Sequence, residues 1–251
     1  MSPETGGDGP EDDRSDADLT PSEAEAPEAP ALRIVHLDDD LAVIDKPAGL
    51  VVHPAPSHTG PTVVSELGDL LGGGDPERPG IVHRLDKETS GLMVVARNPE
   101  TLAALQEAVR ERQVERRYLA LAGGRLGSRT GTIDAPIGRA SKRRTRMAVS
   151  GAASREARTH FEVLELLSRE SYLEARLETG RTHQIRAHFA AIGHPLVGDT
   201  TYGGRPRYGL RRQFLHAHRL SFAHPRTGAP LDFRSSLPDD LEAALEAARA
   251  E

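Results

Sequence analysis

The stretch HRLDKETSGLMVVAR, residues 83–97, sets a charged lead-in directly against an apolar run. Gly91 to Ala96 carry neither charge nor a side-chain hydrogen-bonding group. Such a run, with Val94 and Val95 adjacent, reads as a core strand and is too short for a typical helix. His83, Arg84, Asp86, Lys87 and Glu88 cannot follow it into an apolar interior, because burying unpaired charge is costly. They belong at the mouth of the core. Asp86 then has two readings. It is a carboxylate nucleophile or base held ionised by flanking cations, or it caps a turn or pairs with Arg84 at the surface. Its neighbours do not decide: no GxSxG elbow or P-loop lysine accompanies it, and nothing nearby would activate Ser90.

Upstream, LRIVHL (32–37) and LAVIDK (41–46) read as two strands around a turn at Asp38–Asp40. Residues 62–71 read as a short helix stopped by Gly72, Gly73 and Gly74. Downstream, Asn98 and Pro99 supply the cap and first position of a helix over NPETLAALQEAVRER. Strands are predicted near 116–122, 130–134, 145–149, 157–166, 171–178, 213–222 and 229–234. A helix is predicted over 181–192, ended by Gly193 and Pro195, with Ile185, Phe189 and Ile192 facing the core. The segment PDDLEAALEAARA closes the chain as a helix capped near Leu237. Strands outnumber helices and mostly follow one another directly. This predicts an α+β fold with a mixed, mostly antiparallel sheet.

Composition narrows the chemistry. Cysteine is absent from the 251 residues, so disulfides, thiolate metal sites and a cysteine nucleophile are excluded. No segment approaches the length of an apolar membrane span, and a cytoplasmic protein is expected. The net charge of −6 averages two unlike parts. Residues 1–31 hold ten acids and one base and almost no large aliphatic side chains, so a disordered acidic tail is expected there. The remainder carries 31 bases against 28 acids and reads as one catalytic domain over 32–251. A mildly basic body is compatible with a nucleic-acid partner.

Two basic clusters sharpen that expectation. GRASKRRTRM, residues 138–147, holds Arg139, Lys142, Arg143, Arg144 and Arg146 in a strand-turn-strand setting. Arg205, Arg207, Arg211 and Arg212 lie in a Gly-rich stretch. The first is equally readable as a solvated hairpin tip, but together the two clusters favour nucleic-acid binding. The 11 histidines do not make a metal site: His183 and His188 are five apart, no HExxH occurs, and His216 and His218 lack a third ligand. His183 and His216 are expected to orient loops by hydrogen bonds. Arg181, Thr182 and Arg186 flank the apolar stripe of the 181–192 helix, where an arginine meets a carboxylate or a phosphate.

In order and spacing, six segments resemble the RluA-type family of RNA pseudouridine synthases. They are LAVIDKPAGLVVHP (41–54), IVHRLDKETSGLMVVA (81–96), RRYLAL (116–121), REARTHFEVLE (155–165), ETGRTHQIRAHFAAIGHPLVGDTTYGG (178–204) and LHAHRLSFAHP (215–225). The resemblance spans Leu32 to Asp232. It implies the pseudouridine synthase fold, a mixed sheet with flanking helices around a central RNA-binding cleft. It also implies roles. Asp86 matches the catalytic aspartate, and Arg84 the arginine that replaces a flipped nucleotide in the RNA. Tyr118 matches the tyrosine that lies against the target uracil and is proposed as a base, and Arg186 the basic partner of the aspartate. Leu215 is expected to pack the uracil pocket. The expected RNA-binding side chains are His83, Arg84, Arg181, Lys142, Arg143 and Arg144.

The implied reaction breaks the N1–C1′ bond of uridine, turns the base and rejoins it through C5. It is redox-neutral and transfers no group, so neither cofactor nor metal is expected. The partner is RNA, rRNA or tRNA, and a monomer is expected. Two rivals remain at this level. One is a non-catalytic RNA-binding or ribosome-assembly factor, which would be expected to lack Asp86, Tyr118 or Arg186. The other is a glycosidase, which needs two carboxylates across one bond and has only Glu88 near Asp86. Many family members also carry an S4-type RNA-binding module, for which residues 1–31 are too few and too acidic.

Overall fold

The computed structural model describes residues 31–54, 60–140 and 146–251. Along the chain the elements are β1 (Arg33–Leu37), β2 (Leu41–Lys46), α1 (Val63–Leu67), β3 (Ser90–Ala96), α2 (Pro99–Arg110), β4 (Glu115–Gly123), β5 (Thr130–Asp134), β6 (Ile137–Arg139), β7 (Met147–Val149) and β8 (Ala152–Arg155). They continue with β9 (Arg158–Leu166), β10 (Glu170–Leu177), α3 (Gln184–Ala191), β11 (Leu215–Ala223), β12 (Pro230–Arg234) and α4 (Asp239–Arg249). Nine strands form one sheet in the order β1-β2-β3-β11-β4-β10-β9-β5, with β12 added beside β11. A small second sheet runs β7-β6-β8. The fold is α+β with a mostly antiparallel sheet, as expected.

The apolar run of β3 is buried at every position. Side chains alternate across a strand, so an unbroken run requires both sheet faces to be covered. Met93 and Val95 join the core on one face, with Ile44, Tyr118 and Phe189. Leu92, Val94 and Ala96 join the other, under Leu102 and Leu105 of α2. That helix begins as its sequence dictates: the Asn98 side chain accepts from Thr101 N–H at 2.8 Å and Pro99 occupies the first turn. Helix α4 buries Leu241, Ala244, Leu245 and Ala248, one face at helical spacing, against Leu121 and Phe214.

One strand pair departs from the antiparallel pattern. β3 and β11 run parallel through His216↔Ser90 and Ala217↔Gly91. Gly91 has φ +115, and a Cβ on it would lie 2.3 Å from the Ala217 carbonyl oxygen. Only glycine allows the backbones this close. Ala217 also faces Tyr118 across the antiparallel β11–β4 pair. Gly91, Ala217 and Tyr118 thus lie in one row across three strands, with Asp86 in the loop just ahead of the first.

Several expectations need correction. Strand β6 is the first strand of the expected strand-turn-strand over 138–147, whereas β8 was not foreseen; it is short and exposed throughout, which leaves no apolar alternation to read. The helix expected over 62–71 is α1 followed by a 3-10 turn at Gly68–Leu70. The helix expected over 181–192 spans only Gln184–Ala191 because His183 adopts a left-handed conformation at φ 56. Ile192 is its C-cap and 41% exposed, so the expected apolar stripe ends at Phe189. Helix α4 starts after Pro238 and has no side-chain cap. Lys142, Arg143, Arg144 and residues 1–30 of the tail lie outside the described residues.

Candidate active site

The loop carrying Asp86 is pinned from three directions. Lys46, fully buried at the end of β2, donates through Nζ to the carbonyls of Pro47, Leu50 and Lys87 at 2.7, 2.9 and 3.0 Å. Three acceptors match the three N–H groups of an ammonium. Arg212 Nη1 donates to the Glu88 carbonyl at 3.1 Å, while its Nε and Nη2 hold Asp240 of α4. Gln213 Nε2 donates to Thr89 Oγ1 at 3.1 Å. The segments before β11 and after β2 therefore fix the loop before β3.

Helix α3 delivers the partner. Arg186 Nη1 donates to Asp86 Oδ2 at 3.0 Å, joining residues 100 apart. Its Nε and Nη2 donate to the two oxygens of Asp199 at 2.7 and 2.9 Å. Burial opposes the Arg186 charge, yet the two carboxylates outweigh it and hold the guanidinium pKa above its ordinary value. His183 Nε2 lies 3.8 Å from the other Asp86 oxygen. Burial lowers its pKa in spite of that carboxylate, which favours a neutral ring. His183 Nδ1 is hydrogen-bonded to Tyr202 OH at 3.0 Å, and that hydroxyl accepts from Met147 N–H at 2.9 Å. The guanidinium carbons of Arg146 and Arg186 lie 4.8 and 5.1 Å from the Tyr202 ring centre.

Asp86 opens onto two adjoining cavities of about 690 and 500 Å3. Tyr118, Leu215, His83 and Arg181 line the larger one. Eight arginines and four carboxylates line it as well, a positive excess suited to a polyanion. Tyr118 is buried beside Asp86 with its pKa pushed up to about 12, chiefly by burial, so its phenol is protonated near neutral pH. Arg84 is exposed at the rim that both cavities share. Arg181 Nε donates to the Glu156 carbonyl at 2.9 Å. His83 accepts from Val94 N–H through Nε2 at 3.3 Å, and burial, then Arg116, lowers its pKa to about 3. It faces the cavity as a neutral ring.

The profile of the RNA pseudouridylate synthase family matches residues 40–191 of this chain. The chain belongs to that family. An uncharacterized RNA pseudouridine synthase of Bacillus subtilis, YlyB, is 46% identical over 86% of the chain and 72% of its own length. The ribosomal large subunit pseudouridine synthase D of Nitrosomonas europaea is also 46% identical, over 88% of the chain and 67% of its own length. Among solved structures, human RNA pseudouridylate synthase domain containing 4 superposes with a TM-score of 0.70 at 26% identity. That match covers 86% of this chain and 93% of the human one. The fold is the pseudouridine synthase fold, and the RluA-type resemblance of the sequence holds. The protein is an RNA pseudouridine synthase, an isomerase of uridine in RNA.

Within this family frame, the structure brings Asp86, Tyr118, Arg186, Leu215, His83, Arg84 and Arg181 to one cleft. The second basic cluster, expected to favour nucleic-acid binding, is divided: Arg205 and Arg211 are exposed, whereas the other two arginines are held by carboxylates. Arg207 is engaged by Glu170 and Glu251, and Arg212 by Asp240. Asp199 and Tyr202 escaped the sequence reading although both lie in the quoted segment 178–204, because neither has a local signal for pairing with Arg186. Arg116 escaped too, though it alternates with Tyr118 on the buried side of β4. His183 and His216 do orient neighbouring segments, His216 by bonding Ser90 Oγ at 3.0 Å. Among the described residues Asp38, Asp40 and His224 gather ligand atoms within 4.8 Å of one another. Arg226 Nε already occupies Asp40 at 2.6 Å.

Proposed function

We propose that this enzyme isomerises a uridine of large-subunit ribosomal RNA, using Asp86 as the carboxylate that acts at the sugar–base junction. The observation that carries the reading is the Asp86–Arg186 contact at the shared mouth of two basic cavities. Arg186 pairs with the carboxylate and aims it. The target nucleotide leaves its helix to reach Asp86, and Arg84 at the rim occupies the gap, offsetting part of the unstacking cost. Tyr118 offers the everted uracil a ring to pack on and, being protonated, a proton to hand on. Leu215 closes the pocket beside it. His83 and Arg181 line the path of the RNA.

The ribosomal target is supported by the relatives that are named for the large subunit. A glycosidase reading fares poorly, since Glu88 lines the smaller cavity and not the one that holds Tyr118. The catalytic unit spans residues 32–251 and works as a cytoplasmic monomer without a metal or cofactor, the reaction being redox-neutral. No described helix is long and apolar enough to cross a membrane.

Tritium release from [5-³H]uridine-labelled transcripts tests the reading, because C5 loses its hydrogen when it bonds to C1′. Wild-type enzyme should release tritium from large-subunit rRNA and Asp86→Asn should not. Equal release by both proteins would remove Asp86 from the chemistry. Release from tRNA transcripts alone would overturn the ribosomal target.

A further inference from the structure

Arg116 is a buried guanidinium without a carboxylate partner among the described residues. It is 5% exposed, on β4, two residues before Tyr118 and on the same side of the strand. Among the described residues none of its side-chain N–H groups has an acceptor, and Nε is sealed from solvent as well. The other buried arginines among the described residues, Arg186 and Arg212, are each gripped by a carboxylate. Arg116 instead borders the cavity of Asp86 and Tyr118. Space is kept for it: a Cβ on Gly180 would lie 2.7 Å from Arg116 Nη1. A folded chain gains nothing by burying an unpaired cation unless a ligand completes the pairing.

We propose that Arg116 binds a carbonyl oxygen of the everted uracil and takes up the negative charge that the ring acquires as the N1–C1′ bond breaks. This rests on the reading of Asp86 and Tyr118 as flanking the reacting base. The electron pair of the broken bond stays with the uracil and spreads over N1, O2 and O4. Carbon C1′ is left electron-poor opposite Asp86. After the ring turns, C5 bonds to C1′ and loses its proton, and N1 gains one, so atoms and charge balance. A donor fixed before the reaction favours the anionic ring over the neutral one. Depth argues for the base over a phosphate: phosphates stay tied to the RNA backbone at the rim, where Arg84 is exposed, whereas a flat everted base reaches the floor.

The test uses full-length enzyme in excess over [5-³H]uridine-labelled RNA from cells lacking the gene, which contains the target whatever its class. Arg116→Met keeps the length and apolar stem. Its single-turnover rate should fall about 100-fold or more, as when a preorganised donor is removed. Its RNA affinity should stay within about twofold, and its melting temperature should hold or rise because an unpaired buried charge is gone. Gly180→Ala, which displaces the guanidinium without removing it, should slow the same step with unchanged melting. A normal rate in Arg116→Met, a loss confined to RNA affinity, or a clear fall in melting temperature would each overturn the role. Asp86→Asn run in parallel separates the two readings. If it is inert while Arg116→Met reacts normally, only Arg116 is misassigned; if it reacts normally, the site itself is.

Discussion

Asp199 receives two parallel hydrogen bonds from Arg186, and this leaves Nη1 as the nitrogen that points at Asp86. A guanidinium gripped on one edge cannot rotate, so the position of the Asp86 partner is set by a buried carboxylate that lines only the smaller cavity. Asp199 is itself tied down, accepting from Tyr202 N–H at 3.3 Å. The triad Asp199–Arg186–Asp86 therefore behaves as one rigid unit.

Asp199→Ala should disable that unit. It leaves a buried arginine facing one carboxylate instead of two, and breaking such a buried pair costs about 3–5 kcal/mol. We expect a clear fall in the urea midpoint and tritium release reduced by about 100-fold, since small misplacements of a catalytic partner carry penalties of that order. Urea denaturation and the release assay on the same preparation would check both.

Tyr202 links this unit to the basic segment around Arg146. Tyr202→Phe removes the hydroxyl that Met147 N–H and His183 share but keeps the ring between the two guanidinium groups. The loss of stability should be about 1 kcal/mol, the usual net worth of such bonds. Tyr202→Ala also loses the ring and should weaken RNA binding further by freeing Arg146. Filter binding over a salt series would show the difference, with the alanine variant giving the shallower salt slope if Arg146 no longer meets phosphate.

How far the sequence carries this structure depends on the range of the interaction involved. Strand β3 and helix α2 are legible because their signals are local: an apolar run in one, and Asn98 with Pro99 in the other. Ile192 misleads because its helical spacing continues past the point where the helix stops. Strand β8, exposed throughout, offers no pattern to detect. The site is different in kind. Asp86 and Arg186 are 100 residues apart, and no periodicity joins them; their pairing was expected only through the resemblance of whole motifs. Asp199 and Arg116 needed the fold, because a partner's presence or absence is a property of three dimensions.

Gly91 tests the junction beneath the site. A side chain there meets the Ala217 carbonyl at 2.3 Å, a backbone atom that cannot step aside, and φ +115 is hostile to any L-residue. Gly91→Ala should destabilise the protein by about 3 kcal/mol or more, in the range of severe core and backbone defects. The remedy available to the chain is to part β3 from β11, which would move Asp86 relative to Tyr118. Activity should therefore fall even at temperatures where the variant remains folded, as measured by circular dichroism beside tritium release.

His216, which is buried, and His83, half-buried in the cavity wall, set the acid limit of stability. His216 is held neutral by burial, with its pKa lowered to about 4, and His83 is lowered to about 3. In the unfolded chain both would titrate near pH 6.5. Between about pH 6.5 and 4 the unfolded state binds protons that the folded state refuses, so stability falls as pH drops through that window. Above about pH 7 the two states carry the same charge on these rings and the effect vanishes. Each such histidine contributes a slope approaching about 1.4 kcal/mol per pH unit. Urea denaturation at several pH values should give a midpoint that declines steadily on acidification. His216→Gln removes one of these proton sites and should flatten the decline, whatever it costs in absolute stability through the lost contact with Ser90. An unchanged slope in that variant would mean that His216 takes up its proton alike in the folded and unfolded protein, and the decline would then come from the other histidines that burial holds neutral, His83 and His183 among them.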